Sequence, residues 1–144
     1  MRSGALLDTG PLVAYLRPGD ADHGWAVEQF EMLDQPFISC EPVLTEACFL
    51  VMRAGRPATA VLDLLRRGAV RIGFELRDEL APVRALMQRY ANVPMSLADA
   101  CLVRLAELTG LPVCTLDRDF RIYRAHGRQG LDLLMPEHRS LHEP

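Results

Sequence analysis

The sequence predicts an α/β domain built on a central, mainly parallel sheet. Short apolar runs of strand length alternate with longer stretches of helical periodicity along the chain. Glycine and proline punctuate many of the junctions between them. Two apolar runs end in an aspartate, Asp8 and Asp117, and sheets of this kind place their sites beyond the carboxyl ends of their strands.

In chain order, Gly4-Ala5-Leu6-Leu7-Asp8 reads as a short buried strand. Gly10-Pro11 follows, and the fixed φ of proline suits a first helical turn, so a helix over 11–16 carries Leu12, Val13 and Leu16. A second helix over about 21–34 carries Trp25, Val27, Phe30 and Leu33. Pro36-Phe37-Ile38-Ser39 is a strand. Residues 41–54 form a strongly apolar helix through Val43, Leu44, Ala47, Leu50, Val51 and Ala54, stopped by Gly55. Pro57 opens a helix to Arg67 that Gly68 closes, and Ala69-Val70-Arg71-Ile72-Gly73 is the next strand. Leu80, Val83, Leu86, Met87 and Tyr90 mark one amphipathic helix over 76–90. Ser96 starts another that reaches Leu108 and ends at Gly110. A strand over 112–116, a short helix over 119–125 and a last strand, Leu131-Asp132-Leu133-Leu134, complete the series. No repeat, low-complexity segment or linker interrupts it, so residues 1–144 read as one domain.

The 144 residues, 49% hydrophobic and 24% charged, are enough for a substantial core and too apolar for a disordered chain. No stretch approaches a membrane span, and the apolar part of the opening segment is too short for a secretory signal, so the expected location is the cytoplasm. Cys40, Cys48, Cys101 and Cys114 lack close-paired metal spacing and read as reduced cysteines, mostly of the core. His23, His126, His138 and His142 are scattered and read as surface residues. All 16 basic residues are arginine, so chemistry that needs a lysine is excluded. A net charge of −3 argues against a generally basic nucleic-acid coat and leaves only a local patch for such contact.

Four acids lie where apolar runs end or turn. An isolated carboxylate among apolar neighbours is costly unless paired, protonated or metal-bound, and a group of them suits a hard divalent cation held by oxygen. Asp8 reads either as a turn and cap residue before the next helix or as a site residue at a strand end. Glu46, with Val43 and Leu50 on its helix face, lies at the edge of the apolar stripe, where a plain surface glutamate is also common. Ser96-Leu97-Ala98-Asp99 fits a capping box, yet Asp99 also leads the stripe of Leu102, Val103 and Ala106. Asp119 reads as the cap of the short helix that follows, which leaves Asp117 for another task, with Thr115 on its side of the strand. Brought to one sheet edge, these acids raise each other's pKa values, and Mg²⁺ or Mn²⁺ would offset the repulsion.

The same residues resemble the motifs of a known family. Leu6-Leu7-Asp8-Thr9-Gly10-Pro11-Leu12 looks like the opening motif of PIN-domain nucleases, and Thr45-Glu46-Ala47 resembles the second. Ser96-Leu97-Ala98-Asp99-Ala100 resembles the third, and Cys114-Thr115-Leu116-Asp117-Arg118-Asp119-Phe120 the fourth. In order and spacing the match extends over nearly the whole chain, and the nearest group is the compact VapC-like toxins of bacterial toxin–antitoxin pairs. The resemblance implies a three-layer α/β/α fold and a metal-dependent ribonuclease. It assigns Asp8, Glu46, Asp99 and Asp117 to a Mg²⁺ or Mn²⁺ site, with Asp119 as an auxiliary acid and Thr9 and Thr115 as nearby hydroxyls. It further implies an RNA substrate, a small antitoxin partner and a homodimer. The apolar surface of the helices at 41–54 and 57–67 points to the same self-association.

Phosphoacceptor receivers and haloacid-dehalogenase-like phosphatases also end a strand in aspartate. Both use a lysine, which is absent, and Asp8-Thr9-Gly10 lacks the second aspartate of the phosphatase motif. No Gly-rich phosphate loop ending in lysine is present. The non-enzymatic alternative is a PIN-like binding module, against which the intact acidic quartet argues. Arg118, Arg121, Arg124 and Arg128 read either as phosphate contacts or as a solvated arginine face.

Overall fold

The structure is a computed structural model that describes residues 3–137. Its centre is a five-stranded parallel sheet of order β3-β2-β1-β4-β7, formed by β1 (Leu6–Leu7), β2 (Phe37–Ser39), β3 (Val70–Ile72), β4 (Val113–Cys114) and β7 (Leu133–Leu134). A separate antiparallel pair joins β5 (Arg124–Ala125) to β6 (Gln129–Gly130). The chain builds outward from β1 to β2 and β3, then returns to lay β4 on the other flank of β1. The strand order therefore reverses between β1 and β4, which opens a crevice at their carboxyl ends.

Strand side chains alternate between faces, so each face carries its own core. Leu6 and Val113 pack on one side with α5 (Leu80–Arg89) and α6 (Leu97–Thr109), around Val83, Leu102 and Leu105. Leu7 and Cys114 pack on the other with Leu12 and Val13 of α1 (Thr9–Leu16), and with Leu44, Val51, Val61 and Leu64 of α3 (Glu41–Arg53) and α4 (Thr59–Arg66). The helix α2 (His23–Met32) lies against α1. The result is the expected three-layer α/β/α arrangement, with helices on both faces of the sheet.

Most elements fall where the sequence places them, one or two residues shorter at an end, while α1 starts two residues earlier than expected, at Thr9. The stretch expected as one helix over 76–90 is divided: a 3₁₀ turn at Leu76–Glu79 precedes α5. Pro82 explains this, since a residue without an N–H fits the first turn of α5, where the N–H has no helical partner, and not the interior of a longer helix. The expected helix over 119–125 is a 3₁₀ turn at Arg118–Arg121 followed by the β5–β6 hairpin. Gly110 closes α6 at φ 70°, a left-handed conformation that costs glycine little. Gly10 is fixed by space: a Cβ there would meet the Leu116 side chain at 3.1 Å, so the start of α1 lies tightly against the segment leading to Asp117.

The four cysteines are free; Cys40, Cys101 and Cys114 are buried, and Cys48 is partly buried. His23 corrects its expected surface role, since it is half-buried with Nδ1 2.8 Å from the Ala14 carbonyl. His138 and His142 lie outside the described residues. Among the described residues no helix is long and apolar enough to cross a membrane.

Candidate active site

Asp8 and Thr115 meet at the crevice between β1 and β4. Asp8 is the N-cap of α1, and its Oδ1 accepts the Thr9 N–H at 2.8 Å. Its Oδ2 accepts the Thr115 hydroxyl at 2.7 Å, across 107 residues of sequence. Thr115 Oγ1 in turn accepts the Asp117 N–H at 2.9 Å, which ties the end of β4 to the end of β1. Ser39 adds a third tie from the end of β2, donating its hydroxyl to the Leu7 carbonyl at 2.8 Å.

Asp99 arrives from α6. Ser96 caps that helix by accepting the Asp99 N–H at 3.1 Å, as the capping pattern predicts. The Asp99 carboxylate points inward, and its Oδ2 accepts the hydroxyl of the buried Tyr123 at 2.7 Å. Asp99 is therefore the helix-start residue of the capping reading, and its carboxylate is held by Tyr123. Tyr123 was not visible as a site residue from sequence. The available signal was general: a buried tyrosine needs a partner for its hydroxyl.

Asp117 and Asp119 exchange their expected duties in part. Asp117 is the cap of the 3₁₀ turn, with Oδ1 accepting the Asp119 N–H at 2.9 Å, so Asp119 is not the cap. Spacing alone favoured Asp119 because the turn was expected one residue later. Asp117 and Glu46 are exposed, whereas Asp8 and Asp99 are buried.

The electrostatics bind the group together. Burial pushes the Asp8 carboxyl up to about 7, against the hydrogen bonds from Thr115 and Thr9, and the charges of Asp99 and Asp117 add to the rise. Asp99 is raised chiefly by burial, with the Tyr123 bond opposing and the charges of Asp117 and Glu46 contributing. Asp119 is raised by partial burial and by Asp117, with Arg118 opposing. Burial and then Asp99 push the Tyr123 hydroxyl upward, so it stays a hydrogen-bond donor. Every acid singled out in the sequence thus lies within the electrostatic reach of another.

The donor set suits a hard divalent cation, because it offers carboxylate and hydroxyl oxygens. The Thr9 Oγ1 is buried with no hydrogen-bond partner among the described residues, an uncommon and costly condition, one residue from Asp8. Among the described residues no three His, Cys, Asp or Glu side chains are gathered as a closed coordination shell. Of the arginines after the last motif, Arg124 is committed to the backbone, donating to the carbonyls of Arg121, Ile122 and Tyr123.

A parallel sheet with acids at its switch point defines a class of α/β domain with an acidic, oxygen-rich site. The PIN domain family model matches residues 5–125, and the chain belongs to that family. Among solved structures, the fold is similar to a crystal structure of VapC20 from Mycobacterium tuberculosis, described as a sarcin–ricin loop cleaving toxin. That match has a TM-score of 0.76 and 21% identity, and covers 92% of this chain and 99% of that one. PAE2754 from Pyrobaculum aerophilum matches with a TM-score of 0.47 and 20% identity, over 83% of this chain and 84% of that one. No curated protein sequence matches significantly.

Proposed function

We propose that this chain is a Mg²⁺- or Mn²⁺-dependent endoribonuclease, the toxin of a toxin–antitoxin pair, that hydrolyses single-stranded or structured RNA. The observation that carries the proposal is the electrostatic coupling of Asp8, Asp99 and Asp117 near the switch point of the sheet, with Glu46 acting on Asp99. Membership of the PIN family and likeness in fold to VapC20 support a nuclease role.

Asp8, Glu46, Asp99 and Asp117 are the residues that would hold the ion. When bound there, it supplies a water acidic enough to attack phosphorus near neutral pH and offsets charge on the phosphoryl oxygens. The chain's own residues prepare the site. Thr115 and the Thr9 N–H fix both oxygens of Asp8, and Tyr123 fixes one oxygen of Asp99. Such holding of carboxylates before substrate arrives lowers the reorganisation needed during the reaction. Asp119, tethered through its N–H to Asp117, acts as the auxiliary acid.

The partners follow from the same proposal. Phe49 and Met52 on α3 and Leu62 on α4 are more than half exposed, at 52%, 58% and 54%. This apolar patch suits a homodimer, in which a two-fold axis buries the same surface from both copies, and a small antitoxin binds the assembled toxin. The test is cleavage of a mixed-sequence RNA with analysis of the product ends. A 5′-phosphate and a 3′-hydroxyl are expected, with no cleavage in excess EDTA. Undiminished cleavage in EDTA, or cyclic phosphate ends, would refute the proposed chemistry.

A further inference from the structure

Beside the acids lies a cleft of about 560 Å³ between the starts of α3 and α6 and the 3₁₀ turn at Leu76–Glu79. Its volume falls within the roughly 300–1,000 Å³ typical of small-molecule sites. Pro42, Leu76, Leu97 and Ala98 give it an apolar lining, and Leu97 is 39% exposed. Two carboxylates, Glu41 and Glu46, border it, and no basic residue lines it. Neither glutamate side chain has a salt bridge or hydrogen bond among the described residues. The cleft adjoins the candidate site directly: Glu46 raises the pKa of Asp99, and Ser96, Leu97 and Ala98 lead into Asp99.

A phosphate has no counter-charge in such a cleft. A flat, uncharged ring does fit, provided that its edge offers hydrogen-bond donors. Ionised carboxylates only accept hydrogen bonds. Among the nucleobases, guanine presents two adjacent donors, N1–H and the 2-amino group, on one edge. Those two donors match the two oxygens of one carboxylate. Single-stranded RNA is commonly read in this way, with unstacked bases held on apolar surfaces and read on their Watson–Crick edges.

We infer that this cleft is a guanine-binding subsite for the RNA substrate, with Glu41 as the specificity-determining residue. The inference rests on the ribonuclease proposal above and adds a base preference to it. Glu41 stands in the first turn of α3, and it is exposed enough to meet an entering base. Glu46 is reserved for the acidic site, so Glu41 is the carboxylate left for the base.

The experiment compares oligo-uridine RNAs carrying one guanosine, inosine or adenosine, in Mn²⁺. Inosine lacks the 2-amino group and so loses one of the two donors. The expected result is cleavage beside guanosine, with kcat/KM lower by about tenfold or more for inosine and adenosine. Glu41→Gln should bring the guanosine rate down to the inosine rate without lowering the adenosine rate, because a glutamine amide both donates and accepts and so matches the edge of adenine. RNA affinity, measured by fluorescence anisotropy in an Asp99→Asn background, should show the same order and the same response to Glu41→Gln. Equal rates for the three RNAs, or a guanosine preference that survives Glu41→Gln, would overturn the subsite while leaving the nuclease intact. No metal-dependent cleavage of any RNA would defeat the ribonuclease proposal, and the subsite with it.

Discussion

Replacing Asp8 with asparagine should make the metal-free protein more stable at neutral and alkaline pH. The Asp8 carboxyl is pushed from 3.8 up to about 7 in the folded state, chiefly by burial. A raised carboxyl pKa means that the folded protein holds a proton that the unfolded chain has released. Stability is therefore unaffected by Asp8 below the unfolded value, falls as pH rises between the two values, and carries the full penalty above the folded one. At about 1.4 kcal/mol for each tenfold change in acidity, the rise corresponds to a penalty of about 4 kcal/mol. Asparagine carries no charge and escapes it. The amide offers one acceptor where the carboxylate offers two, so either the Thr115 hydroxyl or the Thr9 N–H loses its acceptor, at a cost of roughly 1 kcal/mol. The net gain is about 2–3 kcal/mol at about pH 8, and at about pH 3, below the unfolded value, the sign reverses to a loss of roughly 1 kcal/mol. Urea denaturation in EDTA at both pH values, with fixed ionic strength, measures it. A variant less stable than the wild type at both pH values, by the same margin, would refute the argument that burial and neighbouring acids load Asp8 with this cost. Such a cost is retained where function requires it, and a bound cation would repay it by favouring the ionised form.

Asp99→Asn should abolish RNA cleavage with the fold intact by circular dichroism, and Asp117→Asn should do the same. Asp119→Asn should retain part of the activity, and an equal loss would make Asp119 a full ligand. Tyr123→Phe removes the only hydroxyl bonded to Asp99 Oδ2 among the described residues, so it should lower kcat by about tenfold and cost roughly 1 kcal/mol in urea denaturation. Light scattering over a dilution series should show a dimer that Met52→Arg converts to a monomer; a wild-type monomer at every concentration would remove the self-association proposal.

The parts of the fold written in local chemistry were legible. Asp8 directly follows β1 because the apolar run stops at it, Asp117 lies three residues past β4 as the cap of the 3₁₀ turn, and the Ser96–Asp99 cap is a contact three residues long. The mainly parallel α/β arrangement followed from alternating strand and helix patterns, and its three-layer form was implied by the family resemblance. What the sequence concealed depends on partners far along the chain or on very short elements. The Thr115–Asp8 bond spans 107 residues, and Tyr123 reaches 24 residues back to Asp99, so no local pattern announces either. The β5–β6 hairpin has two-residue strands, too short for an alternation to register. Its turn was marked only by Gly127, which takes φ 79° after His126 at φ 53°. The division of the 76–90 helix was present in Pro82, and the apolar stripe around it masked the signal.

The most direct test of the acidic site as a metal-dependent ribonuclease centre is single-turnover cleavage of one labelled RNA by the purified chain. The wild type and Asp99→Asn should be compared in Mn²⁺, in EDTA, and in EDTA with Mn²⁺ restored in excess. The expected result is cleavage by the wild type that disappears in EDTA and returns with Mn²⁺, and none by folded Asp99→Asn in any condition. Cleavage by Asp99→Asn at the wild-type rate, or by the wild type in EDTA, would contradict it.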